Sequence, residues 1–122
     1  MKRTLMQVYV KGSAEAVKLY QKAFDATLDT FGAGEDADAY MHAELDVYGQ
    51  IIAVSEARRR KAGDNMQFCL QFDLDEKDKV LKAYEVLKQG AKKALPPDSC
   101  EWSPCVAGVV DKFGVNWCIY IA

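Results

Sequence analysis

The sequence predicts an α+β fold in which one βαβββ module occurs twice along the chain. Three observations lead to this prediction: short segments recur in the same order, apolar residues follow strand and helix periods in turn, and the chain is short. At 122 residues, with 50% hydrophobic, the chain suits a single domain with a packed core. We therefore expect one domain over 1–122, with module one at 1–57, a seam at 58–65 and module two at 66–122.

The recurrence consists of three matches that lie 60, 64 and 65 residues apart. The last match is an Asp-x-(Tyr/Phe)-Gly segment, and in both halves it is followed by eight residues that end in alanine. One match could arise by chance, but three in the same order indicate a duplicated module. The matched pairs are residues 6–7 with 66–67, 17–20 with 81–84, and 46–49 with 111–114.

Each module begins with an alternating strand, at 4–10 and at 66–73, and continues with an amphipathic helix. The first helix is predicted to start at Ser13 as its N-cap, and the second near Asp75 with Gly90 just after its end. The glycine of each Asp-x-(Tyr/Phe)-Gly segment supplies the positive φ that a tight hairpin needs. The remaining strands are predicted near 27–32, 39–47 and 50–57, and near 92–96, 104–111 and 115–121. Helical spacing predicts burial of Ala16, Leu19, Tyr20, Ala23 and Phe24, and of Val80, Ala83, Tyr84 and Leu87.

Strand parity separates an apolar face, which a helix can cover, from a polar face. The polar face carries amides, tyrosines and thiols in place of the lysines and glutamates that are typical of open water. This composition predicts a half-buried wall that binds a neutral or aromatic small molecule, while bulk water and a wet dimer interface are the other interpretations. The residues predicted to line one pocket are Gln7, Tyr9, His42, Gln67, Cys69, Asn116, Cys118 and Tyr120.

Composition argues against several partners and compartments. The net charge of −2 and the pI near 5.4 argue against nucleic acid, and we interpret the basic run at 58–61 as a solvated linker rather than an anion site. No apolar stretch approaches the roughly 20 residues that span a bilayer, so we expect no membrane partner, and we expect no signal peptide. The four cysteines contain no Cys-x-x-Cys pair, which predicts free thiols in the cytoplasm. A zinc site from these cysteines and His42 is the alternative.

A tandem βαβββ chain of this length resembles the vicinal oxygen chelate superfamily, which includes glyoxalase I, extradiol dioxygenases and the fosfomycin and bleomycin resistance proteins. Three segments resemble its PhnB-like branch: 14–24 (AEAVKLYQKAF), 40–45 (YMHAEL) and 111–117 (DKFGVNW). The resemblance implies that the sheets curve into half-barrels, within one chain or between two chains of a homodimer. The methyltransferase label that PhnB-like proteins carry is not supported, because segment 32–36 (GAGED) has no third glycine and lies between short strands.

Metal-dependent members of this superfamily place their ligands on the first and last strands of each module. This chain has Leu5 or Gln7, Ala53, Gln67 and Cys118 at the corresponding positions. Leucine and alanine have no ligand atom, glutamine is a weak neutral ligand, and one thiol cannot hold a catalytic ion alone. The resemblance therefore predicts no metal and no cofactor here.

Three functions stay open at this point. The first is a metal-free small-molecule binding protein. The second is a lyase or dioxygenase-like enzyme that uses a divalent metal or acid–base chemistry by His42 and Glu44, a pair that equally fits a structural strand histidine beside a carboxylate. The third is a structural dimerisation module, and paired ferredoxin-like modules are the alternative fold. Trp102 is predicted to cap the pocket mouth, or else to plug the core or a dimer contact.

Overall fold

The structure is a computed structural model that describes residues 3, 5–33, 39–58 and 66–122. The chain divides into two compact units, Met1–Ala62 (unit one) and Gly63–Ala122 (unit two). Apart from Arg58, the predicted seam lies outside the described residues. The grouping of both modules into a single domain stays a prediction.

Unit one contains β1 (Met6–Val10), α1 (Ser13–Phe24), β2 (Thr27–Ala33), β3 (Tyr40–Val47) and β4 (Gln50–Glu56). Its sheet has the order β1-β4-β3-β2, in which β1 runs parallel to β4 and the other neighbours are antiparallel. A parallel pair needs a long connection between its strands, and α1 forms part of that connection.

Unit two repeats this arrangement with β5 (Phe68–Phe72), α2 (Lys77–Leu87), β6 (Lys93–Cys100), β7 (Ser103–Val110) and β8 (Asn116–Ile121). The sheet order is β5-β8-β7-β6, and the parallel pair is again the first strand with the last. The predicted α+β architecture of two βαβββ modules is confirmed. The ferredoxin-like alternative is wrong, because that fold places two helices on one sheet in the order βαββαβ.

Each helix covers the apolar face of its own sheet. The predicted helical core is confirmed except at Leu19, which is half-buried while its neighbour Val17 is buried. On the sheets, Val8 and Val10 in β1 and Trp117 in β8 are buried as parity predicts. In the described residues, neither helix is long and apolar enough to cross a membrane.

The start of α1 differs from its prediction. Ser13 is the first helical residue and Gly12 is the N-cap, with a φ of 86°. The carboxylate of Glu56, at the end of β4, accepts hydrogen bonds from the backbone N–H groups of Gly12 and Ser13 at 3.1 and 2.9 Å. A side chain from strand β4 therefore accepts hydrogen bonds from N–H groups at the start of α1 that have no partner within the helix. No local sequence signal predicts a cap of this kind. Helix α2 begins at Lys77, two residues after Asp75.

Strand β6 is longer than predicted, because it continues through Pro96 and Pro97 to Cys100. It is an edge strand. Proline has no N–H group to donate to a neighbouring strand, and an edge strand tolerates this because one of its sides has no partner strand.

The two Asp-x-(Tyr/Phe)-Gly hairpins use their aspartates differently. Gly49 and Gly114 have φ values of 85° and 87°, as predicted. In unit one, Asp46 accepts one exposed hydrogen bond, from the Gly49 N–H at 2.6 Å. In unit two, Asp111 is fully buried and accepts from the Phe113 and Val115 N–H groups and from the indole N–H of Trp117, at 2.9, 3.0 and 2.8 Å.

We expect Asp111→Ala to lower the free energy of unfolding by about 2–4 kcal/mol, because it leaves buried donors without an acceptor. Urea denaturation, followed by circular dichroism and by the fluorescence of buried Trp117, measures this loss. The matched control is Asp46→Ala in the other hairpin, which should cost about 1 kcal/mol because its N–H donor can turn to water. Equal losses for the two variants would contradict this account of the turn.

Candidate functional site

The polar face of unit one is organised around Ala53 in β4. Gln7 in β1 and Glu44 in β3 are both register partners of Ala53, so the three side chains lie in one row across the sheet. Ala53 is fully buried and Glu44 is 6% exposed. The Gln7 amide donates to the hydroxyl of buried Ser55 at 2.8 Å, so it is engaged within the sheet.

Glu44 joins a cluster of three charged or titratable side chains with Arg3 and His42. The Arg3 guanidinium donates to both carboxylate oxygens of Glu44, with Nη1–Oε2 and Nη2–Oε1 distances of 2.9 and 2.7 Å. His42 Nε2 lies 3.0 Å from Glu44 Oε1. The bidentate geometry fixes the carboxylate plane, and the carboxylate in turn orients the imidazole.

The hydrogen bond from Arg3, followed by the hydrogen bond from His42, lowers the pKa of Glu44 from its ordinary 4.5 to about 2, against the opposing effect of burial. Glu44 is therefore ionised at neutral pH and can only accept hydrogen bonds. His42 Nε2 must carry the hydrogen that it shares with Glu44, so in the neutral imidazole Nδ1 is the unprotonated nitrogen. The His42 side chain is 36% exposed, and a molecule bound at this face could give a proton to Nδ1.

The polar face of unit two is built from rows of register partners across its sheet. One row, the thiol row, contains Cys69, Cys118, Gly108 and Leu95 on β5, β8, β7 and β6. A second row, the amide row, contains Asn116, Val110 and Lys93, and Gln67 extends it by donating from its amide to Asn116 Oδ1 at 3.2 Å.

A groove of about 160 Å³ lies between these two rows. It exists because Gly108 has no side chain: the nearest atoms to a Cβ placed there belong to Leu95, the closest at 3.5 Å. The volume is below the roughly 300–1,000 Å³ of pockets for drug-sized molecules, so the groove suits one ring or a similar fragment. Its lining residues are Gln67, Lys93, Leu95, Gly108, Val109, Val110 and Asn116.

Aromatic side chains extend this face beyond the groove. Tyr120 donates through its hydroxyl to Gln71 Oε1 at 3.2 Å. Trp102 packs edge-on against Tyr120, with ring centroids 5.1 Å apart, and is 60% exposed. The indole is therefore not a core plug, and its exposed ring is available to a planar ligand or to a partner.

The eight residues of the predicted pocket form one group on each sheet. Gln7, Tyr9 and His42 belong to unit one, while Gln67, Cys69, Asn116, Cys118 and Tyr120 share the polar face of unit two. That they line one common pocket stays a prediction. Five residues outside the predicted pocket set also belong to these faces: Arg3, Gln71, Lys93, Leu95 and Gly108. Strand parity places Gln71 on the polar face from the sequence alone, whereas the other four depend on the register of distant segments.

The positions of unit one that correspond to the superfamily's metal ligands do not fit a metal ion here. Ala53 offers no ligand atom, the neighbouring Gln7 amide is hydrogen-bonded to Ser55, and the Glu44 carboxylate is held by Arg3. In the part of the chain that the structure describes, no group of three or more His, Cys, Asp or Glu side chains could hold a metal ion. The zinc alternative therefore has no support, since Cys105 lies buried in the core while Cys69 and Cys100 are exposed.

Comparison with solved structures identifies the fold. Protein PA1353 from Pseudomonas aeruginosa superposes with a TM-score of 0.82 and 19% sequence identity, over 99% of this chain and 98% of that one. The PhnB protein from Bacillus cereus gives a TM-score of 0.80 and 19% identity, over 99% and 100% of the two chains. This chain has the vicinal oxygen chelate fold. No family model matches the sequence, and no curated protein matches it.

The fosfomycin resistance protein FosX from Listeria monocytogenes shares the vicinal oxygen chelate fold with a TM-score of 0.71 and 13% identity, over 98% of this chain and 92% of that one. That structure is a complex with Mn(II) and 1S,2S-dihydroxypropylphosphonic acid. The same fold thus accommodates a protein with bound Mn(II), so the fold alone does not specify whether a metal is bound.

We expect Glu44→Gln to flatten the pH dependence of stability below pH 4.5. The folded-state pKa is lower than the ordinary value, so ionised Glu44 stabilises the fold fully above about pH 4.5 and this contribution is lost as the pH falls through about 2. Urea midpoints measured from about pH 2 to pH 7 should therefore converge for the wild type and the variant at the acid end.

Arg3→Gln is the matched variant, because it removes the group that lowers the pKa of Glu44 most. It should flatten the same pH interval while leaving the carboxylate in place. A parallel loss of stability in the wild type and in Glu44→Gln between pH 4.5 and 2 would disprove the assigned role of the cluster.

Proposed function

We propose that this chain is a small-molecule-binding protein that works without a divalent metal and takes its ligand on the polar face of unit two. The observation that carries this proposal is the groove at Gly108, bordered by two amides, on a face that also carries the exposed ring of Trp102. FosX, which shares this fold, is a complex with the small molecule 1S,2S-dihydroxypropylphosphonic acid; this supports small-molecule binding by the fold but does not specify a ligand for this chain.

The chemistry of the groove favours a neutral or aromatic compound. Gln67 and Asn116 can each donate and accept hydrogen bonds, and Val110 and Leu95 supply apolar walls. Lys93 is the one charged side chain among the described residues that line the groove. A phosphate group favours a cluster of arginine or lysine donors, so the proposed ligand is held mainly by ring packing and by amide hydrogen bonds.

We propose a cytoplasmic location, because Cys69 and Cys100 carry exposed thiols that persist best in a reducing compartment.

A second candidate function is acid–base catalysis by His42, and the Arg3–Glu44–His42 cluster favours it. Glu44 cannot itself exchange protons near neutral pH, since its pKa is about 2. In this alternative, Glu44 positions the imidazole and His42 Nδ1 accepts a proton from the substrate. Loss of turnover in His42→Asn with unchanged ligand affinity would favour this function over binding alone.

We expect Gly108→Val to weaken ligand binding at least about tenfold, because its branched side chain fills the groove. N-phenyl-1-naphthylamine, a neutral aromatic fluorophore, is a suitable probe, because its phenyl ring matches the groove in size while its naphthyl group can lie on the open polar face beside it. Fluorescence titration measures its affinity. Gly108→Ala should have a smaller effect, since its Cβ would meet Leu95 only at ordinary contact distance.

Leu81→Ala is the control for this experiment, because it changes an exposed residue of α2, the helix on the opposite face of the same sheet, and it should leave probe affinity unaltered. Valine suits a β-strand, so circular dichroism should show an intact fold for Gly108→Val. Equal probe affinity in the wild type and Gly108→Val would remove the groove from consideration as the site.

We propose in addition that the protein is a homodimer. Strands β1, β2, β5 and β6 lie at the edges of their open sheets, where backbone groups remain available for pairing. Pro96 and Pro97 blunt the β6 edge, which leaves the other three as candidate contacts.

Light scattering coupled to gel filtration should give a mass near twice the chain mass of 13.6 kDa at a concentration of about 10 μM. A mass near 13.6 kDa under these conditions would refute the dimer.

A further inference from the structure

The thiols of Cys69 and Cys118 lie side by side on the polar face of unit two. The two residues are register partners on the parallel strands β5 and β8. Their neighbours Phe68 and Trp117 are also register partners and pack together on the opposite, buried face, with ring centroids 5.4 Å apart. Strand parity therefore places both thiols on the same, solvent-facing side of the sheet.

Both thiols can be reached from solvent. Cys69 is exposed and Cys118 is half-buried. Gly108, the register partner of Cys118 on its other side, has no side chain that could cover it. The Cys69 thiol is oriented by a hydrogen bond that it donates to Gln67 Oε1 at 3.8 Å.

The spacing of the two strands suits an atom that bridges the two sulfurs. Neighbouring strands lie about 4.7–4.9 Å apart. Both cysteines are free thiols, and their side chains leave registered positions on the same face, so both sulfurs can reach one shared ion.

We propose that Cys69 and Cys118 form a two-coordinate binding site for Cu(I). Thiolates are soft ligands that select soft ions, and Cu(I) is stable with few ligands, whereas structural Zn²⁺ takes four. In the described residues no third His, Cys, Asp or Glu joins the pair, which disfavours zinc. Binding replaces the two thiol protons by one Cu(I), so two protons are released and the copper keeps its oxidation state.

Cys69 acts directly on the Cys118 thiol through a side-chain hydrogen bond, which places the two sulfurs close together. Burial raises the pKa of the Cys118 thiol above the ordinary 9.0, and the charge and hydrogen bond of Cys69 raise it further. Cys100 contributes through its charge and not through a hydrogen bond. It lies at the end of β6, outside the thiol row, and so provides a natural control.

The test is an anaerobic titration of the purified full chain with Cu(I) against bathocuproine disulfonate, a coloured competitor for this ion. We expect one Cu(I) per chain, and a loss of at least about 100-fold in apparent affinity for Cys69→Ser and for Cys118→Ser. Cys100→Ser should bind as the wild type does. X-ray absorption at the copper edge should show two sulfur ligands.

Serine has nearly the shape of cysteine, and circular dichroism with the urea midpoint checks that each variant folds. If Cys100→Ser weakens binding as much as Cys118→Ser, the site is not this pair. If the double variant Cys69→Ser, Cys118→Ser still takes one Cu(I) with unchanged affinity, the proposal is wrong. The result does not depend on the proposed ligand groove, because probe binding by N-phenyl-1-naphthylamine is measured without copper.

Discussion

The parallel pairing of the first strand with the last strand of each unit is the constraint on which the other features depend. It brings β1 beside β4 and β5 beside β8, although the paired residues are 46 and 49 positions apart in sequence. The helix between them must then cover one face of the sheet, and that face takes the apolar side chains. The side chains at the alternate strand positions, many of them polar, point to the other face of the sheet, where a ligand can bind.

The two units use the same topology for different chemistry. In unit one, the strand beside the central Ala53 carries Glu44, and the carboxylate is engaged by Arg3 and His42. In unit two, the equivalent face carries amides, thiols and aromatic rings around the groove at Gly108. A repeated backbone thus supplies two rigid platforms, and only the side chains of alternate residues decide what each platform can do.

The hairpins show the same divergence in a structural role. Asp46 and Asp111 occupy matching positions, yet one accepts a single exposed hydrogen bond and the other is buried with three donors. The indole of Trp117 is one of these donors and has no counterpart in unit one, where Ile52 occupies the matching position. The repeated sequence therefore preserves the turn geometry in both units, but the aspartate contributes more to stability in unit two than in unit one.

The sequence by itself determined the βαβββ order of each unit, both hairpin glycines and the apolar faces of β1, β5 and β8. These features follow from local rules, namely strand and helix periodicity and the positive φ that glycine permits. It also determined that Gln67, Cys69 and Cys118 share a polar face, because parity needs no partner strand.

Only the tertiary structure decided which of these polar side chains touch. The cap of α1 by Glu56, the bidentate contact of Arg3 with Glu44 and the groove at Gly108 each join segments that lie far apart in the chain. Their geometry depends on strand register, and a shift of register by two residues preserves every face while exchanging every neighbour. Such a shift does not change the periodicity of the sequence. The periodicity therefore cannot specify which side chains touch, and only the folded structure shows these contacts.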